Sequence, residues 1–183
     1  DALTHCIEGY VATTFSPLID VLALDGIRRI FTHLEQVVRD GSDREGRLQL
    51  MAAAFAGGVA IQKGLGPAHA IALACGDQGI HHGKLSAIGL LASLRALETK
   101  HPEKLGPIAE AMGLAAGETA RAGLRNLMVR LGLPTSLTAA GYALVDMGVV
   151  ADVCAGSHFN RTSPYQPNAE EYASMIASVL KDD

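Results

Sequence analysis

Apolar residues recur three and four apart through most of this 183-residue chain, the spacing that lines up one face of an α-helix. Leu3, Ile7, Tyr10 and Val11 predict a helix from Asp1 to about Ala12, ended by TTFSP. Ser16 followed by Pro17 reads as an N-cap with proline at the first helical position. Beyond it, Leu18, Val21, Leu22, Ile27, Ile30, Phe31 and Leu34 keep one face apolar out to about Val38. RDGSDRE is a turn, and Ser42 with Glu45 fits the S-x-x-E capping box of a third helix, from about Asp43 to Gln62. The small residues AAAFAGG in that helix let neighbouring backbones approach closely, which predicts a central place among the helices.

KGLGP breaks the third helix, and Pro67 opens a short one bearing His69. ACGDQG is a loop leading into His81, His82 and Gly83; after Lys84 an apolar helix runs to about Glu98. A short helix from Pro102 to Met112 and an amphipathic one from Ala116 to Leu131 follow. Thr135 or Ser136 caps a short piece, Val145 to Ala155 is another helix, Gly156 to Pro167 is an irregular loop, and Asn168 caps AEEYASMIASVL. Runs of alternating β-branched residues are missing throughout. The pattern predicts an all-α chain of eight or nine helices, organised as one domain over residues 1–183.

Composition agrees with closely packed aliphatic helices: hydrophobic residues make up 49%, aromatics only 4%, and there is no Trp. A net charge of −4, with acids and bases interspersed, supplies neither a basic patch for nucleic acid nor a polybasic membrane anchor. No apolar run reaches the roughly 18 residues needed to cross a bilayer. Three widely spaced cysteines, Cys6, Cys75 and Cys154, do not make a disulfide framework and point to a reducing compartment, the cytoplasm by default. The helical pattern is already under way at Asp1, so the chain is expected to be the C-terminal part of a longer protein.

Four of the seven histidines lie in two short segments, DALTH at the start and GLGPAHAIALACGDQGIHHG from Gly64 to Gly83. Asp1 and His5, four apart on one helix, project from the same face. His69 stands on a separate helix, and His82 follows thirteen residues later, beyond a loop that can fold the chain back. One carboxylate and three imidazoles form an N3O set suited to a borderline divalent ion such as Fe(II) or Zn(II) rather than Mg or Ca. On spacing alone this competes with a reading in which His5 and His69 merely cap helices or hydrogen-bond within a core.

The segments DALTHCIEGY, QKGLGPAHAIA and HHGKLSAI, with SPLIDVLALDGIRRIF, AEAMGL and NRTSPYQPNAEEY around them, resemble in order and spacing the C-terminal domain of the iron-containing (group III, or class IV) alcohol dehydrogenases. The resemblance covers nearly the whole chain. It implies that Asp1, His5, His69 and His82 are the metal ligands, for Fe(II) or Zn(II), in the helical half of a two-domain enzyme. The other half would be Rossmann-like and would bind NAD or NADP. It further implies a small-molecule alcohol or aldehyde as substrate and a homo-oligomeric full-length protein, with the metal as Lewis acid and template and the hydride chemistry left to the cofactor. Alone, this chain would bind metal weakly or in part and would not turn over. No G-x-G-x-x-G after a strand is present in it.

Three features depart from that family's pattern, one of them the helix after Ser86, which reads GLLAS without the usual LLP proline. Where many members carry a further His, four residues after the third ligand and resembling a proton relay, this chain has Leu73; where the H-G-x-x-N segment has Asn, it has Ser86. His81 is the alternative to His82, which the following Gly83 favours; otherwise His81 lies at the surface or bonds a ligand carboxylate. Cys75, His158 and Phe159 are candidates for substrate contact, Cys75 equally for a buried inert thiol. Cys6 is expected to pack in the core, Asp77 to serve loop geometry, and His33 and His101 to face solvent. The rival readings are a helical module with a structural metal, or another superfamily member such as a glycerol dehydrogenase, a dehydroquinate-synthase-like lyase or a maleylacetate reductase; the full ligand set argues against the maleylacetate reductase, and dehydroquinate synthases share the architecture with a different ligand pattern.

Overall fold

Helix-breaking and capping chemistry cuts the chain into nine α-helices among the residues described, 1–181, in the computed structural model, with no strand among them. They are α1 (Ala2–Val11), α2 (Pro17–Arg39), α3 (Arg44–Ala60), α4 (Pro67–Ala74), α5 (His82–Lys100), α6 (Leu105–Ala111), α7 (Ala120–Arg130), α8 (Met147–Ala155) and α9 (Ala169–Ala177). Among the described residues no single helix is long and apolar enough to cross a membrane.

Local chemistry explains where the boundaries differ from those predicted. Asp43, not Ser42, caps α3: its Oδ1 accepts the Gly46 N–H at 2.9 Å, while the Ser42 hydroxyl is occupied by Asp40. At its other end α3 tightens into a 3-10 turn over Ile61–Lys63. His81 caps α5, its Nδ1 accepting the Gly83 N–H at 3.1 Å, so this helix starts at His82 rather than beyond Lys84. The segment before α7 is not helical, because Gly117 has φ +87°, outside the right-handed region, and Thr119 caps the helix that follows. Asp146 opens α8 by accepting two backbone N–H groups. Asn168 and Glu171 form a complete capping box at α9. Residues after Thr135 make turns rather than a helix, held by Leu137 and Thr138 N–H bonds to the carbonyls of Val179 and Leu180.

The centre is α5, whose Leu85, Ile88, Leu90, Leu91 and Leu94 are all buried, with α4 packed along it. The expected central position of α3 is not what the structure has. Its small residues Ala53, Ala56, Gly57 and Ala60 do face α1 and α2, but Leu48, Met51 and Phe55 on its other side are exposed, so α3 flanks the assembly. With α1 laid against both α3 and α5, the N-terminal ends of α1, α4 and α5 come together, and the imidazoles meet there.

Candidate metal centre

Asp1 occupies the N-cap position of α1, where an aspartate ordinarily accepts a backbone N–H from the first turn. Its side chain makes no such bond. Its Oδ1 instead faces three imidazoles, 3.6 Å from His5 Nε2, 3.5 Å from His69 Nε2 and 3.4 Å from His82 Nε2. These separations are too long for good hydrogen bonds. They match the spacing of two atoms bound to one ion, because bonds of about 2.0–2.2 Å in tetrahedral array leave their ligand atoms roughly 3.3–3.6 Å apart.

Asp1, His5 and His69 form the compact trio, with ligand atoms all within 4.8 Å of one another, and the rings of His5 and His69 stack at 4.8 Å between centroids. His82 joins through Asp1, its ring 5.7 Å from that of His69. Ser86, one turn along α5, lies with its hydroxyl 3.2 Å from His82 Nε2 and bonds the His82 carbonyl at 3.0 Å. Burial, followed by the neighbouring imidazole of His69, pushes His5 down to about 4, and the same two causes lower His82. Both rings are thus held neutral at neutral pH, the form that donates a lone pair to a metal.

His69 carries the diagnostic atom. The residue is buried at 2% exposure and its Nε2 has no hydrogen-bond partner among the described residues. An orphaned polar atom in a core is costly unless something binds it. Its other nitrogen, Nδ1, lies 2.6 Å from Oε2 of Glu8, a buried carboxylate on α1. Sequence reading passed over Glu8, although Asp1, His5 and Glu8 are spaced as i, i+4 and i+7 on one helical face.

Phe159 meets His69 edge-on at 5.8 Å between ring centroids, and exposed His158 packs against Phe159 at 4.1 Å. Both sit on a 3-10 segment, His158–Thr162, inside what reads in sequence as an irregular loop. That segment is pinned from below: the Asn160 amide donates to the carbonyls of Cys154 and Ala155, and the Tyr172 hydroxyl donates to Asn160 Oδ1 at 2.5 Å.

Cys75 does not line the site. It is fully buried beside Tyr142, so of the two expectations for it the inert thiol is the one realised. Cys6 and Cys154 are likewise buried and free; burial pushes Cys6 and Cys154 up to about 12 and Cys75 to about 11. All three thiols are expected to resist iodoacetamide in the native protein and to react together once it is denatured, as mass spectrometry would count. Exposed Asp77 lies in a 3-10 turn, Gly76–Gln78, which Gln78 clasps to Ala143 by two bonds of 2.9 Å. His33 and His101 are partly buried rather than fully solvent-facing, and His101 pairs with Glu103 at 3.2 Å.

The described residues thus gather one carboxylate and three imidazoles at converging helix ends, with no strand among them. Residues 1–180 match the family model described as "Fe-containing alcohol dehydrogenase family, C-terminal", and the chain belongs to that family. It is 36% identical to the 4-hydroxybutyrate dehydrogenase of Cupriavidus necator, over 98% of this chain and 50% of that protein. It is 31% identical to the 1,3-propanediol dehydrogenase of Klebsiella pneumoniae, over 98% of this chain and 49% of that one. A crystal structure of a 1,3-propanediol oxidoreductase superposes with a TM-score of 0.92 at 29% identity, covering 98% of this chain and 50% of that one. The chain spans about half the length of the curated relatives it matches.

Proposed function

We propose that this chain is the metal-holding helical half of an NAD(P)-dependent oxidoreductase that interconverts an alcohol with an aldehyde or ketone. The observation that carries the proposal is the orphaned, buried Nε2 of His69, facing the uncapped carboxylate of Asp1 beside two further imidazoles. Asp1, His5, His69 and His82 would hold the ion, Fe(II) or Zn(II) by their N3O chemistry. A divalent ion there supplies Lewis-acid polarisation of the substrate oxygen. The nicotinamide cofactor, NAD or NADP, would be held outside the 183 residues, a reading supported by relatives twice as long that are named as dehydrogenases.

The chain's own side chains set the access. His5 and His69 close the inner side of the cluster, whereas Asp1 and His82 have side chains 39% and 47% exposed, so the outer side is open to a small alcohol or aldehyde. Phe159 sets an apolar ring edge-on beside His69. Leu73, one turn beyond His69 on α4 and 55% exposed, can neither accept nor release a proton. The proton leaving the alcohol therefore passes to water or to a group beyond α4.

Calorimetric titration of the metal-free chain with Zn(II) is expected to show one saturable site, weakened at least tenfold in Asp1→Asn. An alcohol panel run on the full-length gene product with NAD and NADP is expected to give metal-dependent turnover. Absence of saturable binding, or affinity unchanged in Asp1→Asn, would overturn the assignment.

A further inference from the structure

Resting on the metal reading above, we infer that Glu8 is the positioning residue of the centre: it holds the His69 ring in the tautomer with hydrogen on Nδ1 and ties the helix bearing His69 to the helix bearing Asp1 and His5. Each oxygen of its carboxylate has one partner on α4. Oε1 accepts the Ala68 N–H at 2.7 Å, and Oε2 meets His69 Nδ1 at 2.6 Å.

Ala68 and His69 lie in the first turn of α4, where backbone N–H groups lack intrahelical partners. The helix receives nothing from its own N-cap, since Gly66 has no side chain to accept a bond, and Pro67 has no N–H to offer. Glu8, sixty residues earlier in the chain, therefore caps α4 from a neighbouring helix and sets a negative group at the positive end of its dipole. The fit is close. A Cβ on Gly66 would lie 2.9 Å from Glu8 Oε1, so a side chain there would crowd the carboxylate and make it shift.

A cap alone would use only the Ala68 N–H. The second oxygen is committed to a ligand ring, and this separates positioning from mere stability. A carboxylate facing Nδ1 at 2.6 Å requires that nitrogen to donate, so the neutral ring must present its lone pair at Nε2, the atom that faces Asp1. The pairing also fixes the plane of the ring. Glutamine cannot replace it, because its amide has one acceptor end and one donor end while both facing groups are N–H donors. Asp1 and Glu8, as two carboxylates, match the charge of a divalent ion.

The test uses the metal-free chain labelled with ¹⁵N-histidine, whose two-bond ¹H–¹⁵N correlations report the tautomer of each ring, together with Zn(II) affinity by chelator competition. Wild type is expected to show His69 protonated on Nδ1. Glu8→Gln is expected to lose that preference and to bind Zn(II) about 10- to 100-fold more weakly. Gly66→Ala, which crowds Oε1 but leaves the carboxylate in place, should shift both readouts in the same direction by less, and it keeps the test decisive if Glu8→Gln fails to fold. A wild-type His69 protonated on Nε2, or a folded Glu8→Gln within about twofold of wild-type affinity, would overturn the role of Glu8. Failure of the wild type to take up Zn(II) would sink the metal reading instead, and the tautomer, measured without metal, would still decide whether Glu8 orients the ring.

Discussion

Replacing His69 with alanine is expected to lower divalent-metal affinity by more than about 100-fold, beyond the 10–100-fold typical of losing a partner outside the ligand set, and to destabilise the metal-free protein as well. The ring bridges two environments, with Nε2 in the ligand cluster and Nδ1 on the buried carboxylate of Glu8. Truncation leaves Glu8 Oε2 in the core without its donor and opens a void beside Phe159, together costing roughly 2–4 kcal/mol. His82→Ala provides the contrast. With its side chain 47% exposed, His82 should lose metal affinity with a stability change within about 0.5 kcal/mol. Thermal melts of both metal-free variants, combined with chelator competition, check this. Equal destabilisation by the two substitutions would mean that His69 is not the buried centre of the site.

The second large effect is expected at Gly89 in α5. Glycine to alanine inside a helix normally gains up to about 1 kcal/mol. Here the added Cβ would lie 2.5 Å from the carbonyl oxygen of Ala68 and 3.1 Å from its Cα. The obstacle is backbone, so the two helices must move apart, and α4 carries His69. Overpacking of this kind costs about 1–3 kcal/mol or more. We expect Gly89→Ala to be destabilised by about 2 kcal/mol net, or roughly 4–8 °C in melting temperature for a chain of this size, and to bind metal more weakly because Ala68 and His69 shift together. A melting temperature equal to or above that of the wild type would show that α4 and α5 are not in contact there.

Helices were legible in sequence wherever apolar period and a helix-starting residue agreed, as at Pro17, where Ser16 holds the N-cap position without a side-chain bond, and at Asn168. Ends decided by competition were less so. Ser42 matches the capping pattern, yet Asp40 takes its hydroxyl and Asp43 takes the cap. The crowding of small residues on α3 signalled close packing correctly, but not which side of the molecule it occupied, since that depends on Met51 and Phe55 being left outside. In the site, residues that share a helix or follow a glycine turn could be singled out by spacing. Glu8 shares that helical face with Asp1 and His5, but spacing alone does not give its role, which depends on a helix sixty residues away. The packing of Phe159 against His69 was equally hidden, because it rests on Asn160 and Tyr172 holding a segment that looks irregular.

The far end of the chain closes on the beginning. Thr13 donates its backbone N–H to the Thr162 carbonyl at 2.8 Å and its hydroxyl at 3.2 Å, across 149 residues, and the Thr162 hydroxyl reaches the Leu65 carbonyl at 3.3 Å. The Glu8–His69 contact itself spans 61 residues. Contacts of such long sequence separation form slowly, because the loop between them must be closed before they contribute. A nascent or refolding chain would present only Asp1 and His5 at local spacing, too few groups to retain an ion. Metal capture should therefore follow folding rather than guide it, and refolding rates should be insensitive to added Zn(II) while the stability of the finished protein is not.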